Sequence, residues 1–243
     1  MCWAKLQLAA SIAGLVVLAA GTAGMAVWTA QDLRPNTPNG ALRALAKAFS
    51  DGDGRKFANG LHLTIDDSTA ATPGWKTTIE NVVTAQGTLR KAATTRFGAN
   101  AVSNAMPIWH SLDEIVIRLT QADDRVQGQR ARFPLPLFGR TFPDVPLMVR
   151  TNHQWKLAID LHFVGGQKIG GGHNNTLGMS IQGNGLHLSF ATTSQFDADK
   201  AQKKFENWAV ALTIIAADLR RGRFASAEEA WENCAKALED VRE

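Results

Sequence analysis

The chain has 243 residues, 45% of them hydrophobic and 20% charged, a balance that fits one folded domain with its own core. The 26 Lys and Arg residues outweigh 22 Asp and Glu to give a formal charge of +4, and the basic residues are scattered rather than run together, which argues against nucleic acid as a partner. Two cysteines, Cys2 and Cys234, offer no disulfide framework to infer.

The run from Leu6 to Trp28 carries no charged residue. As a helix rising 1.5 Å per residue it reaches roughly 34 Å, enough to cross a hydrocarbon core of ~30 Å. Residues 6–28 are therefore read as a transmembrane helix or signal anchor, behind a cytoplasmic stub of residues 1–5. A cleaved signal, releasing a secreted protein, is the alternative, and Gly24-Met25-Ala26 offers only a weak cleavage site. Lys5 and the amino terminus precede the run, whereas Asp32 and Arg34 cancel after it. The positive-inside preference then puts the amino terminus in the cytoplasm and the bulk of the chain outside it.

Residues 29–36 form a linker. Thr37 is placed to cap a helix whose first position is Pro38, and Leu42, Leu45 and Phe49 recur at helical spacing before Asp51-Gly52-Asp53-Gly54 breaks the pattern. A short second helix is expected over Arg55 to Leu61, with His62 at its end. A longer third one runs from Pro73 to Gly98, with Ile79, Val82, Val83, Leu89 and Phe97 as its apolar stripe.

The period then changes to two. Glu114 to Thr120 reads as a strand with Ile115, Ile117 and Leu119 on one face, and Arg125 to Phe133 as a single polar strand. The prolines between Pro134 and Pro143 predict a loop that interrupts the sheet. Leu147–Thr151 and Trp155–Leu161 form a hairpin around Asn152-His153-Gln154, and Leu177 to Phe190 a second hairpin around Gly183-Asn184-Gly185. The glycine-rich loop over residues 165–176 lacks both the Gly-Lys-Ser/Thr of a P-loop and a helix directly behind it, so it is read as a surface loop. Residues 198–243 return to helix: Asp197 is a cap, Phe205, Trp208, Leu212, Ile215 and Leu219 are the stripe, and Gly222 is the stop. A Ser226-x-x-Glu229 capping box opens a last helix carrying Trp231, Cys234 and Leu238. Cys234 is read as a core residue.

The start Thr37-Pro38-x-x-Ala41-Leu42-x-x-Leu45, the Gly52-Asp53 turn, further helices, and then strands ending in a hairpin with Trp155-Lys156 and Asp160 resemble the nuclear-transport-factor-2-like (NTF2-like) superfamily, including its SnoaL-like and ketosteroid-isomerase-like members. The tail from Asp218 to Ala230 is similar to a helical tail on bacterial members. The resemblance spans residues 37–161 and that tail. It implies an α+β, cystatin-like cone of helices packed on a curved antiparallel sheet around a conical pocket, over residues 37–243, used by different members for isomerisation, hydrolysis, ligand binding or protein association. Fold alone cannot choose among these.

An isomerase-like site needs a carboxylate base opposed by hydrogen-bond donors. Many such members use Tyr as a donor and this chain has none. Asp66, Asp67, Asp113 and Asp160 are the available carboxylates, and no Gly-x-Ser-x-Gly elbow supports a hydrolase. The six histidines show no tight ligand spacing, so no metal and no cofactor is expected. His62, Asp66, Trp75 and Trp109 are the ligand-pocket candidates, with a plain core role the alternative for both tryptophans. Arg118, Arg130, Arg132, Arg150 and Lys156 are expected on the sheet face away from the core, either solvated or forming a basic platform for an acidic partner or anionic lipid headgroups. The expected function is a membrane-anchored, extracytoplasmic ligand-binding or protein-interaction module. Its expected partners are the membrane through residues 6–28, a small apolar ligand or a protein, and a second copy in a homodimer. A small-molecule enzyme using the same pocket is the alternative.

Overall fold

The computed structural model describes residues 36–65, 72–100, 102, 125–137, 140–165, 176–182, 185–192 and 198–240. Helix α1, Pro38–Asp51, begins where its cap dictates: Thr37 Oγ1 accepts a hydrogen bond from the Gly40 N–H at 3.1 Å, and Leu42, Leu45 and Phe49 face the core. Gly52 ends it in the left-handed region at φ 71°. Asp53 caps the short α2, Gly54–Asn59, through the Lys56 N–H.

The second helix stops two residues earlier than its expected end at Leu61. The Gly60 N–H closes it on the carbonyls of Lys56 and Phe57, and Leu61–Ile65 forms strand β1. The cause is the two-residue alternation of this stretch, in which Leu61 and Leu63 are buried while His62 and Thr64 are half-exposed. His62 thus sits in a strand, not at a helix end. Helix α3, Thr72–Phe97, follows, and Gly98 closes it at φ 85°.

Strands β2 (Arg125–Gln127), β3 (Arg130–Leu137), β4 (Arg140–Thr151), β5 (Gln154–Gly165), β6 (Thr176–Gln182) and β7 (Gly185–Thr192) join β1 in one seven-stranded sheet, which is mixed and not antiparallel as expected, because β1 and β7 both run parallel to β5. The polar stretch expected as one strand is a hairpin, β2–β3, because Gly128 takes φ 60° and turns the chain. The expected proline loop is instead the far half of β3 and β4. Strand β2 covers only Arg130 to Arg132, so beyond it β3 is an edge, and Pro134 and Pro143 fall where the register shifts between Phe133 and Leu135. The β4–β5 hairpin forms as expected but with a tighter turn, Asn152-His153, both residues at positive φ (50° and 64°), with Thr151 opposite Gln154. The β6–β7 pairing sets Met179 opposite Leu188 and Ile181 opposite Leu186.

Strand β5 holds the sheet together. Leu157 pairs with both Leu61 and Met148, and Ile159 with both Leu63 and Leu186. Strand β1 therefore runs parallel along one edge of β5, while β4 and then β7 succeed one another along the other. Against the sheet pack the helices, completed by α4 (Ala198–Arg220) and α5 (Ala227–Asp240). Trp75 of α3 meets Phe205 of α4 edge-on at 5.4 Å between ring centroids. At the other end of the same two helices, the Arg96 guanidinium donates to the carbonyls of Gly222 and Phe224. Helices α3 and α4 thus lie side by side and parallel. The capping box of α5 forms, with Ser226 Oγ accepting from the Glu229 N–H at 3.2 Å.

Among the described residues no helix is long and apolar enough to cross a membrane; the run at residues 6–28 lies outside them, as do the strand expected over Glu114–Thr120 and the centre of the glycine-rich loop.

The α1–α2 turn touches α3 backbone to backbone. A Cβ on Gly52 would stand 2.9 Å from Gly87 Cα, and one on Gly87 would strike Gly52 Cα in return. Replacing Gly by Ala inside a helix ordinarily stabilises it by up to about 1 kcal/mol. At Gly87 the neighbour is backbone and cannot swing aside, so Gly87→Ala is expected to destabilise by about 1–3 kcal/mol in urea unfolding. Gly98→Ala, with nothing within 4 Å of the added methyl, is expected to lose only the left-handed-backbone term of about 1 kcal/mol.

Candidate functional site

Two residues apart on β5, Lys156 and Ala158 lie on the face opposite buried Trp155, Leu157 and Ile159. The parallel register sets His62 of β1 beside Ala158, and so on the same face as Lys156. Lys76, in the opening turns of α3 next to buried Trp75, comes within electrostatic reach of both. All three side chains are half-buried. Burial, followed by the charges of Lys156 and Lys76, holds His62 below the ordinary imidazole value of 6.5. Burial and then Lys156 push Lys76 below the ordinary ammonium value in the same way. The imidazole is therefore largely neutral near pH 7, with one ring nitrogen able to donate and one able to accept.

The same face extends across β3. Ala131 and Phe133 are fully buried, which turns Arg130 and Arg132 away from the core, onto the side shared by Lys156; Val149 lies between Arg130 and Lys156 in the register. Arg150 does not join them. It pairs with Trp155 and shares a face with buried Met148 two residues before it, so strand geometry sends it to the other side of the sheet, exposed at the hairpin end. Further along, the register sets Thr64, Asp160, His187 and Ser180 in one row across four strands.

Of the pocket candidates, Trp75 is 1% exposed and belongs to the core against Phe205. His62 keeps one side open. Asp66, Trp109 and Arg118 lie outside the described residues. Lys76 had no signal of its own in the sequence: a lysine between core positions Trp75 and Ile79 looks like any solvated helix residue, and only the docking of α3 beside β1 brings it to His62. Cys234 is buried, its thiol pushed up to about 12 by burial, which suits a core residue and not a nucleophile. His153 is exposed in the hairpin turn. Among the described residues no group of three His, Cys, Asp or Glu is gathered to hold a metal ion.

Because the folded-state value of His62 is depressed, its contribution to stability is present above pH 6.5 and is lost as pH falls through the folded value, where protonation favours the unfolded chain. In an NMR titration of the histidine ring protons, His62 is expected to titrate below 6.5, and Lys156→Met to move its midpoint upward, though not fully to 6.5, since burial is the larger cause. A midpoint unmoved by that substitution would separate the two residues. Comparison of the chain with protein families, with curated proteins and with solved structures finds no match.

Proposed function

We propose that the chain is a single-pass membrane protein, anchored by residues 6–28, that holds an NTF2-like domain outside the cytoplasm and works as a binding module through the basic face of its sheet. The anchor rests on the length and apolarity of the run and on the charges that flank it. The NTF2-like reading is supported by the order of elements: two helices, a strand, a long helix, and then the strands of the sheet.

The observation that carries the binding role is strand alternation. Arg130 and Arg132 on β3 and Lys156 on β5 share the side of the sheet away from Ala131, Phe133 and Leu157. Basic groups displayed beside a membrane attract acidic protein segments and anionic headgroups, each contributing on the order of 1 kcal/mol near such a bilayer.

Two measurements test this. In intact cells, a membrane-impermeant maleimide is expected to label Gln154→Cys from outside and Cys2 only after lysis, with buried Cys234 silent in both; labelling of Gln154→Cys only after lysis would reverse the topology. In the native membrane, the full chain carrying Arg130→Glu and Arg132→Glu is expected to lose most crosslinking to its acidic partner or lipid. A cooperative melting curve checks that this chain still folds, since Arg130 is exposed but Arg132 is half-buried. Undiminished crosslinking would remove the basic face from the function.

A further inference from the structure

Helix α4 carries the same residue spacing on two opposite faces. Ala201, Phe205, Trp208, Leu212, Ile215 and Leu219 recur at alternating intervals of four and three and pack toward the core. Two residues along, a turn of about 200° around the helix, the spacing recurs in Lys203, Asn207, Val210, Ile214, Ala217 and Arg221, the last just past the helix end. The centre of this outer row is apolar and open. Val210 is 59% exposed and Ile214 56%, and they are two of the three exposed large hydrophobic residues among those described. Lys204, Ala211 and Asp218 flank the row on one side, and Glu206, Thr213 and Arg220 on the other.

We propose that this outer face of α4 is the seam of a homodimer, in which the helix packs antiparallel against its own copy about a two-fold axis at the level of Leu212. Val210 then lies against Ile214 of the partner subunit, and Asn207 against Ala217 of the partner subunit. The charges decide both the occupant and the direction. In an antiparallel pair each flank meets the same flank of the other helix, so Lys204 faces the partner's Asp218 and Glu206 faces the partner's Arg220. With their symmetry mates these make four contacts, all of opposite sign. A parallel pair would set Glu206 against Ala211 and Asp218 against Thr213, and would stack Lys203 on Lys203. Glu206 already pairs with Lys203 in its own chain, and Asp218 with Arg221 and Arg223; the second copy brings each carboxylate a further cation. The outermost layer sets Lys203 against the partner's Arg221, a pair of like sign, but both are exposed at the ends of the seam and their long stems let the charges part into solvent. Two large apolar side chains per chain make a small seam, so association depends on concentration. The inference does not rest on the basic face of the sheet, which is built from other elements.

The test uses the purified full chain in mild detergent, carrying Cys2→Ser so that buried Cys234 is the native thiol that remains. Thr213 lies beside the two-fold axis and so near its own counterpart, whereas the two copies of Lys203 stand roughly 27 Å apart. A short bismaleimide is therefore expected to join Thr213→Cys chains into dimers as concentration rises and to leave Lys203→Cys chains as monomers. Ile214→Asp is expected to lower the Thr213→Cys dimer yield about tenfold or more, because it sets a carboxylate in the seam, with a cooperative melting curve showing that the chain folds. Arg220→Glu is expected to weaken the dimer, and Glu206→Arg added to it to restore the yield, a rescue that a purely intrachain role for either residue would not give.

Equal crosslinking with and without Ile214→Asp, efficient crosslinking of Lys203→Cys, or a monomer at every concentration in analytical ultracentrifugation would overturn the seam. Two further results would overturn it in favour of another occupant: capture of Thr213→Cys in native membranes by a different protein alone, or protection of Val210→Cys from maleimide only when lipid vesicles are added to a chain that stays monomeric.

Discussion

The two-sided pairing of strand β5 is the constraint on which the rest depends. Between Leu157 and Leu161 every residue has a partner in β1, and from Ile159 onward also in β7, so this strand joins the helical first third of the chain to the sheet that follows. The parallel pairing of β1 requires a long crossover before the chain can return beside it, and α3 lies within that crossover. A slip of one residue in this register would turn Leu61 and Leu63 outward and carry His62 into the core, with loss of apolar burial at several positions at once. The register is thus held by hydrophobic burial, and the polar face follows from it without any interaction of its own.

The helical layer is set by close approach. With no side chain at Gly52 or Gly87, the α1–α2 turn lies on the backbone of α3; Gly54 similarly abuts the Glu80 carbonyl. That contact fixes α3 along its middle, while Trp75 against Phe205 and Arg96 on the Gly222 and Phe224 carbonyls fix its two ends to α4. The Gly222 and Phe224 carbonyls lie just past the end of α4, so the guanidinium also stands near a helix carboxy terminus, where a positive charge is favoured. The position of Lys76 follows from this clamp. It follows Trp75 on the helix, and its charge is felt at His62.

The basic groups on the sheet divide into two kinds. Arg130 is exposed, where a charge costs the fold little. Lys76 and His62 are partly dehydrated and within electrostatic reach of another cation, which disfavours their charged forms.

Local chemistry was legible in the sequence wherever it is local in the chain. Thr37 and Pro38 start a helix, Gly52, Gly98 and Gly222 end helices, Ser226 and Glu229 cap one another, and the alternation from Trp155 to Leu161 marks the central strand, because each signal lies within a few residues of what it governs. The α+β class follows from the same signals. Three features were decided only by tertiary structure. Prolines forbid a central strand and not an edge, so the path of β3 and β4 depended on how little of β3 its neighbour β2 covers. Leu61 to Ile65 is short enough to read as the tail of a helix until β5 supplies a partner. The meeting of His62, Lys76 and Lys156 depends on a parallel register and a helix docking that no single stretch encodes, since residues 62, 76 and 156 are neighbours only after β1, α3 and β5 have packed; Arg150, two residues from core Met148, was turned away from them by that same register.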